Sequence, residues 1–183
     1  MKLAIAIVAA TLLLIILAAL PSAHPQIPSG REVVAPTAYV SLEPVARGSS
    51  FQLAVVLKIR NGFHINARKP SAEYLIPTDL RPTLPAGFKS AGEISYPKGE
   101  LHTFGFTKTP LNVYEDKVVL RVPLAAQSDA PLGAQKISLK LRYQACSNEV
   151  CLPPVTLDLD APLIVAANAA NSRPAHPELF ASH

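Results

Sequence analysis

The sequence predicts an all-β domain folded as an antiparallel sandwich, and three observations predict it. The 18 prolines outnumber the 8 glycines and are spread along the chain, which argues against long helices and for short strands joined by proline-bearing turns. The run SFQLAVVLKIR puts Phe51, Leu53, Val55, Leu57 and Ile59 on one face, alternating with more polar neighbours, the period of a half-buried strand. Between such stretches no ten-residue segment carries a helical period, so strands succeed strands. A chain of 183 residues, 49% hydrophobic and 16% charged, has the apolar content for one domain-sized core.

The elements follow in chain order. Residues 1–23 place Lys2 before an unbroken apolar run from Leu3 to Leu20, closed by Pro21 and Ala23. This is the pattern of an export signal, and its length also suits an uncleaved membrane anchor. No cysteine stands near it, which excludes a lipoprotein anchor. Residues 24–37 contain proline and glycine without periodicity and are expected to be a linker. The domain is expected over 38–165, with strands at Ala38–Leu42, Ser50–Arg60, Gly62–Asn66, Phe88–Tyr96 and Lys117–Leu124. Near its end, QKISLKLRYQ sets Ile137, Leu139, Leu141 and Tyr143 on one face, and VTLDLDAPL does the same with Val155, Leu157 and Leu159. Paired antiparallel, these strands bring Lys140 and Arg142 across from Asp158 and Asp160, a favourable charge pattern on an open face. Residues 166–183 show no β pattern and are expected to be a flexible tail. A net charge of +4 with scattered lysines and arginines lacks the basic stripe that nucleic acid requires, which removes that class of partner.

The chemistry lies in the connection of the last hairpin, YQACSNEVCLPP, which holds both cysteines of the chain, Cys146 and Cys151. Export allows the pair to persist as a disulfide. A structural staple is one reading. Against it, so short a loop gains little from closure, a domain of this size needs no staple, and an exposed connection leaves the sulfurs reachable. Reversible exchange is therefore the second reading, and the C-x₄-C spacing does not choose between them. A third combines Cys146 and Cys151 with His64 and His102 in a zinc or cuprous site, although nothing in the spacing joins those histidines.

The words around the cysteines carry further. LRYQACSNEVCLPPVTLDL, with NGFHINARKPSAEYLIPTDL and YPKGELHTFGFTKTPLNVYEDKVVL before it, resembles the N-terminal periplasmic domain of the thiol:disulfide interchange protein DsbD, from about Ala38 to Val165. The resemblance implies an immunoglobulin-like sandwich without a cofactor or metal. It implies that Cys146 and Cys151 are a reversible redox pair, with Cys151 the exchanging sulfur and Cys146 the resolving one. It also implies a cap loop in HTFGFT, formed by His102, Thr103, Phe104, Gly105 and Phe106, with one phenylalanine over the sulfurs and Gly105 supplying backbone freedom. His64 and Asn66 stand where other members carry tyrosines near the site, and Tyr143 opens the cysteine motif as a further neighbour.

The expected function is a relay of reducing equivalents in the periplasm. Thioredoxin-like proteins are the expected partners, with a membrane thiol-electron transporter in trans as a possible donor, and the membrane is involved directly only if residues 1–23 are retained. Exchange proceeds by thiolate attack on a disulfide sulfur, and no helix N-terminus favours ionisation here, so control is expected through access. The competing function is an exported protein-binding module whose disulfide only shapes a loop.

Overall fold

Alternation of apolar and polar residues in the four longest strands builds two sheets whose apolar faces meet. The computed structural model describes residues 27–181, and the segment expected to be a signal or anchor lies outside them. In the first sheet β4 (Ser50–Ile59) pairs with β10 (Lys117–Ala126), flanked by β1 (Val34–Val40) and β7 (Phe88–Ser90). In the second, β11 (Gly133–Tyr143) pairs with β13 (Val155–Ala166), flanked by β6 (Asp79–Thr83) and by the parallel two-residue β3 (Val45–Ala46). Leu53, Val55 and Leu57 from β4 and Leu120 and Leu124 from β10 meet Ile137, Leu139 and Leu141 from β11 in one buried core. Each such side chain contributes about 1.5–3 kcal/mol relative to exposure. The architecture is the all-β, immunoglobulin-like sandwich that the sequence predicts.

A third, smaller sheet grows from one end of this sandwich. It contains β12 (Ala145–Cys146), β5 (His64–Asn66), β9 (Leu111–Tyr114) and β8 (Glu100–His102), in that order. Since β12 follows β11 after a single residue, the sandwich hands its last hairpin directly to this sheet.

The hairpin of β11 and β13 forms in the expected place with a partly different register. Lys140 lies opposite Asp158 and is bonded to it at 2.6 Å, but Asp160 lies opposite Ser138 and takes Lys136 at 2.8 Å. Arg142 stands across from Thr156 on one side and Asp79 on the other. These pairs are exposed and add little, about 0–1 kcal/mol each. The expected strand Phe88–Tyr96 is interrupted: β7 ends at Ser90, and pairing resumes only at a bridge between Ser95 and Arg121. Pro123 of β10 faces the gap and has no N–H to offer the ladder.

Both expected ends of the domain change. The presumed linker is part of the sandwich: Val33 and Val34 are buried, and β1 pairs with β4 from Val34 onward. Pro36 is tolerated there because β1 is an edge strand, with one side free of ladder bonds. The C-terminal segment docks as well. β14 (Arg173–Pro174) pairs with β2 (Leu42–Glu43), the His176 ring packs edge-on against Tyr39 at 4.7 Å, and the short helix α1 (Pro177–Phe180) packs against β4. Arg121 donates to the carbonyls of Leu179 and Ala181 at 2.8 and 3.2 Å, satisfying groups that a helix end leaves open. Weak periodicity hides these contacts from the sequence because they are made by single side chains.

Tyr143, expected beside the cysteines, is turned into the main core. Its hydroxyl donates to the Gly30 carbonyl at 2.7 Å, tying β11 to the turn before β1, and burial pushes its pKa up to about 12. Its alternation with Leu139 and Leu141 explains this, since all three share the core face. Tyr143→Phe is expected to lower stability in urea by about 1 kcal/mol, the worth of one buried hydrogen bond, since the Gly30 carbonyl keeps the Val33 N–H at 3.3 Å. The same variant should leave the rate of disulfide reduction by a small thiol unchanged, which a site role for Tyr143 would not allow.

Candidate functional site

The short strand β12 sets the site. It pairs antiparallel with β5, so that Cys146 lies directly opposite His64 and Ala145 opposite Ile65. Directly opposed residues in such a pair project to the same face. β5 continues the sheet through Asn66 opposite Val113, and β9 pairs with β8 through His102 opposite Leu111. The connection between β8 and β9 is the HTFGFT segment. One sheet thus carries Cys146, His64, Asn66, His102 and both roots of the expected cap loop.

Cys146 and Cys151 are joined by a disulfide, with Cα atoms 3.9 Å apart. The two sulfur-bearing residues differ in access: Cys146 is fully buried and Cys151 half-buried. The loop between them is closed by its own polar groups. Ser147 N–H donates to the Val150 carbonyl at 2.8 Å, and the Ser147 hydroxyl accepts from the N–H groups of Glu149 and Val150 at 3.2 Å. Leu152 N–H returns to the Ala145 carbonyl at 2.8 Å, which fixes the exit of the loop against β12.

Phe104 is the anchored residue of the cap. It is 7% exposed, packs with Leu75, Leu111 and Val113, and stacks on the His64 ring at 3.8 Å with 15° between the planes. Phe106 lies parallel to Phe104 at 5.8 Å and is 41% exposed. Between them, a Cβ added to Gly105 would stand 3.4 Å from the Asn148 carbonyl oxygen, so the cap loop touches the cysteine loop. Gly105 is not among the glycines at positive φ, and a Cβ there would make only ordinary contact. Thr103 is exposed at the start of the loop. His102 is partly exposed, its Nε2 3.3 Å from Glu100 and its Nδ1 3.6 Å from Glu115.

His64 and Asn66 are buried polar residues on the face of β5 shared with Cys146. Asn66 donates to the Ile76 carbonyl at 3.0 Å, and its own carbonyl accepts the Thr78 hydroxyl at 2.6 Å, which holds the 76–78 segment on the sheet. The Nε2 atom of His64 and the Oδ1 atom of Asn66 have no hydrogen-bond partner among the described residues. Burial, with a smaller contribution from nearby His102, lowers the His64 pKa to about 4. The imidazole is therefore neutral at ordinary pH and lends no positive charge to the sulfurs. Among the described residues no group of three or more His, Cys, Asp or Glu side chains is arranged to hold a metal ion.

Leu75, Leu111 and Val113 escaped the sequence reading, although they form the floor on which Phe104 rests. The signal was present in LNVY, where Leu111 and Val113 alternate with Asn112 and Tyr114, but four residues are too few to stand out. Gln144 was also missed. It accepts the Asn66 N–H at its backbone carbonyl and donates to Leu152, linking β5 to the exit of the cysteine loop.

A family profile described as thiol:disulfide interchange protein DsbD, N-terminal, matches residues 31–161. The chain belongs to that family. The disulfide at the end of the sandwich lies within the matched residues, where a family described by thiol:disulfide interchange would carry it. Among solved structures, the N-terminal periplasmic domain of ScsB from Proteus mirabilis is similar at 14% identity and a TM-score of 0.45. That match covers 70% of this chain and 46% of the other, so the chain spans less than half of that structure. No match was found among curated proteins.

Two outcomes follow from this geometry. Phe104→Ala, which removes both the stack on His64 and the contact with Leu75, Leu111 and Val113, should speed reduction of the disulfide by a small thiol, measured by stopped-flow or quenched alkylation. Phe106→Ala should change that rate far less. The second concerns pH. With a folded pKa of about 4 against an ordinary 6.5, the unfolded state binds the His64 proton first, so the contribution of neutral His64 is complete above pH 6.5 and is lost progressively as pH falls toward 4. Urea midpoints should fall across that window, and His64→Phe should flatten the slope.

Proposed function

We propose that the domain relays reducing equivalents through Cys146 and Cys151, between a thioredoxin-like or membrane electron donor and oxidised exported proteins. The observation that carries this reading is the unequal access of the two cysteines: Cys151 is half-buried at the rim and Cys146 is fully buried behind it. In the dithiol form the Cys151 thiolate attacks a disulfide of the oxidised partner. A mixed disulfide forms, and one partner sulfur leaves as a thiolate. The sulfur of Cys146 then attacks Cys151, which restores the internal disulfide and releases the partner's second thiol. Two electrons and two protons pass to the partner, and a reductant returns the domain to its dithiol form by the reverse sequence.

Control by access suits this site. Among the described residues no helix N-terminus stands beside either cysteine, His64 is neutral, and the exposed Glu149 between the cysteines disfavours a thiolate. The cap loop with Phe104 would then exclude small thiols and yield to a docked partner. Phe106, 41% exposed, and Val150, 40% exposed, lie on the two loops that meet at Gly105, and they offer such a partner an apolar rim. The compartment of this relay is the periplasm.

The test is trapping. Cys146→Ala, reduced and mixed with a periplasmic extract, should retain thioredoxin-like proteins through Cys151, because nothing inside the domain can break the mixed disulfide. Trapping through Cys146 in a Cys151→Ala variant would reverse the two roles. If neither variant traps a thioredoxin-like protein and reduced thioredoxin leaves the wild-type disulfide intact, the relay fails and a binding module with a structural disulfide takes its place.

A further inference from the structure

His64 presents a buried ring nitrogen that the disulfide form does not use. Its Nε2 has no hydrogen-bond partner among the described residues although the residue is 1% exposed, and an atom left unpaired in such a place is costly. The residue sits directly across the β5–β12 ladder from Cys146, on the same face. A disulfide sulfur has no hydrogen to donate. On reduction Cys146 gains an S–H in that position, and the idle nitrogen gains a partner.

We propose that His64 is the proton acceptor for Cys146 in the resolving step. This rests on the relay reading, and it assigns the residue that prepares the buried sulfur for attack. When Cys151 is bonded to the partner, the Cys146 S–H donates to Nε2 of His64. As the Cys146 sulfur attacks Cys151, the new sulfur–sulfur bond forms and the bond from Cys151 to the partner breaks, its electron pair leaving on the partner's sulfur. The Cys146 proton passes to Nε2. The leaving thiolate takes up a proton from solvent, and the imidazolium, unfavourable in its buried setting, gives its proton back to solvent. Transfer accompanies the attack because negative charge growing on an adjacent sulfur raises the proton affinity of the ring.

The surroundings leave this task to His64. On β8, His102 lies between Glu100 and Glu115, with partial exposure. On the cysteine loop, Glu149 is exposed, and its N–H donates to the Ser147 hydroxyl at 3.2 Å. On β9, Tyr114 points to the other face of the sheet, where its hydroxyl donates to the Pro97 carbonyl at 2.9 Å. Phe104 stacked at 3.8 Å holds the imidazole in place while contributing no charge.

The experiment uses a single-thiol protein. In Cys151→Ala, the rate at which Cys146 reacts with iodoacetamide is followed against pH, alone and combined with His64→Phe or His64→Gln. Phenylalanine keeps the stack on Phe104, and glutamine keeps a hydrogen-bonding side chain that cannot take a proton. Both should slow alkylation near neutral pH by about tenfold and move the profile to higher pH, the change that one unit in thiol ionisation produces. Identical profiles in all three proteins would overturn the proposal and leave His64 a packing residue. An independent readout needs no substitution: the ¹⁵N signal of His64 Nε2 in the wild-type chain should shift toward a hydrogen-bonded acceptor on reduction, with a lowered titration midpoint, because the S–H bond favours the neutral ring. An unchanged signal would also overturn the proposal. Neither measurement involves a partner, so failure of the relay leaves them readable and their failure leaves the relay standing.

Discussion

The pairing of two residues, Ala145 and Cys146, with Ile65 and His64 is the constraint on which the site depends. Without that ladder the cysteine loop would be an ordinary hairpin connection facing solvent. With it, Cys146 becomes part of a sheet whose other end is the cap hairpin. The position of the cap is therefore set by backbone hydrogen bonds through β5 and β9, and Phe104 completes the arrangement by stacking on His64. Backbone pairing positions side chains more firmly than a loop does, which suits a site whose sulfurs must be covered yet reachable.

The division of labour between the sheets follows. The sandwich supplies stability through a continuous apolar core, in which Tyr143 serves as a strut toward Gly30. The small sheet is less apolar. It tolerates two buried side chains with unpartnered atoms, His64 and Asn66, and it rests on a separate minor cluster around Leu75, Leu111 and Val113. In the proposed relay, placing the unpartnered polar atoms away from the main core lets the cysteine end change redox state while the sandwich stays folded. The disulfide itself closes a loop with four residues between its cysteines, too short for chain entropy to make it a principal source of stability.

Electrostatically the site is quiet. Burial keeps His64 neutral, and His102 is occupied by two carboxylates. A sulfur in such surroundings is not held as a reactive thiolate, and in the proposed relay selectivity comes from shape and from the apolar rim at Phe106 and Val150. This separates the domain from thiol sites in which a helix N-terminus drives ionisation.

Alternation in the sequence sufficed for the long strands β4, β10, β11 and β13, for the sandwich and for the cysteine hairpin, because period-2 patterning over eight or more residues leaves only one way to bury the apolar face. The motif around Cys146 and Cys151 carried the family. Elements of two to four residues, among them β8, β9 and β12, have no period long enough to read, so the sheet that joins the cap to the cysteines could not be seen. The start of the sandwich at Val33 and the docked C-terminal segment were hidden for a related reason: Pro36 looks like a breaker until β1 is known to be an edge, and Arg121 meets Leu179 only across the fold. The sequence by itself determined the fold class and the identity of the paired cysteines, since both are local patterns. Only tertiary structure decided that Cys146 is the buried sulfur, that Phe104 is anchored and that His64 faces the pair, because burial and cross-strand register arise from contacts between segments distant in the chain.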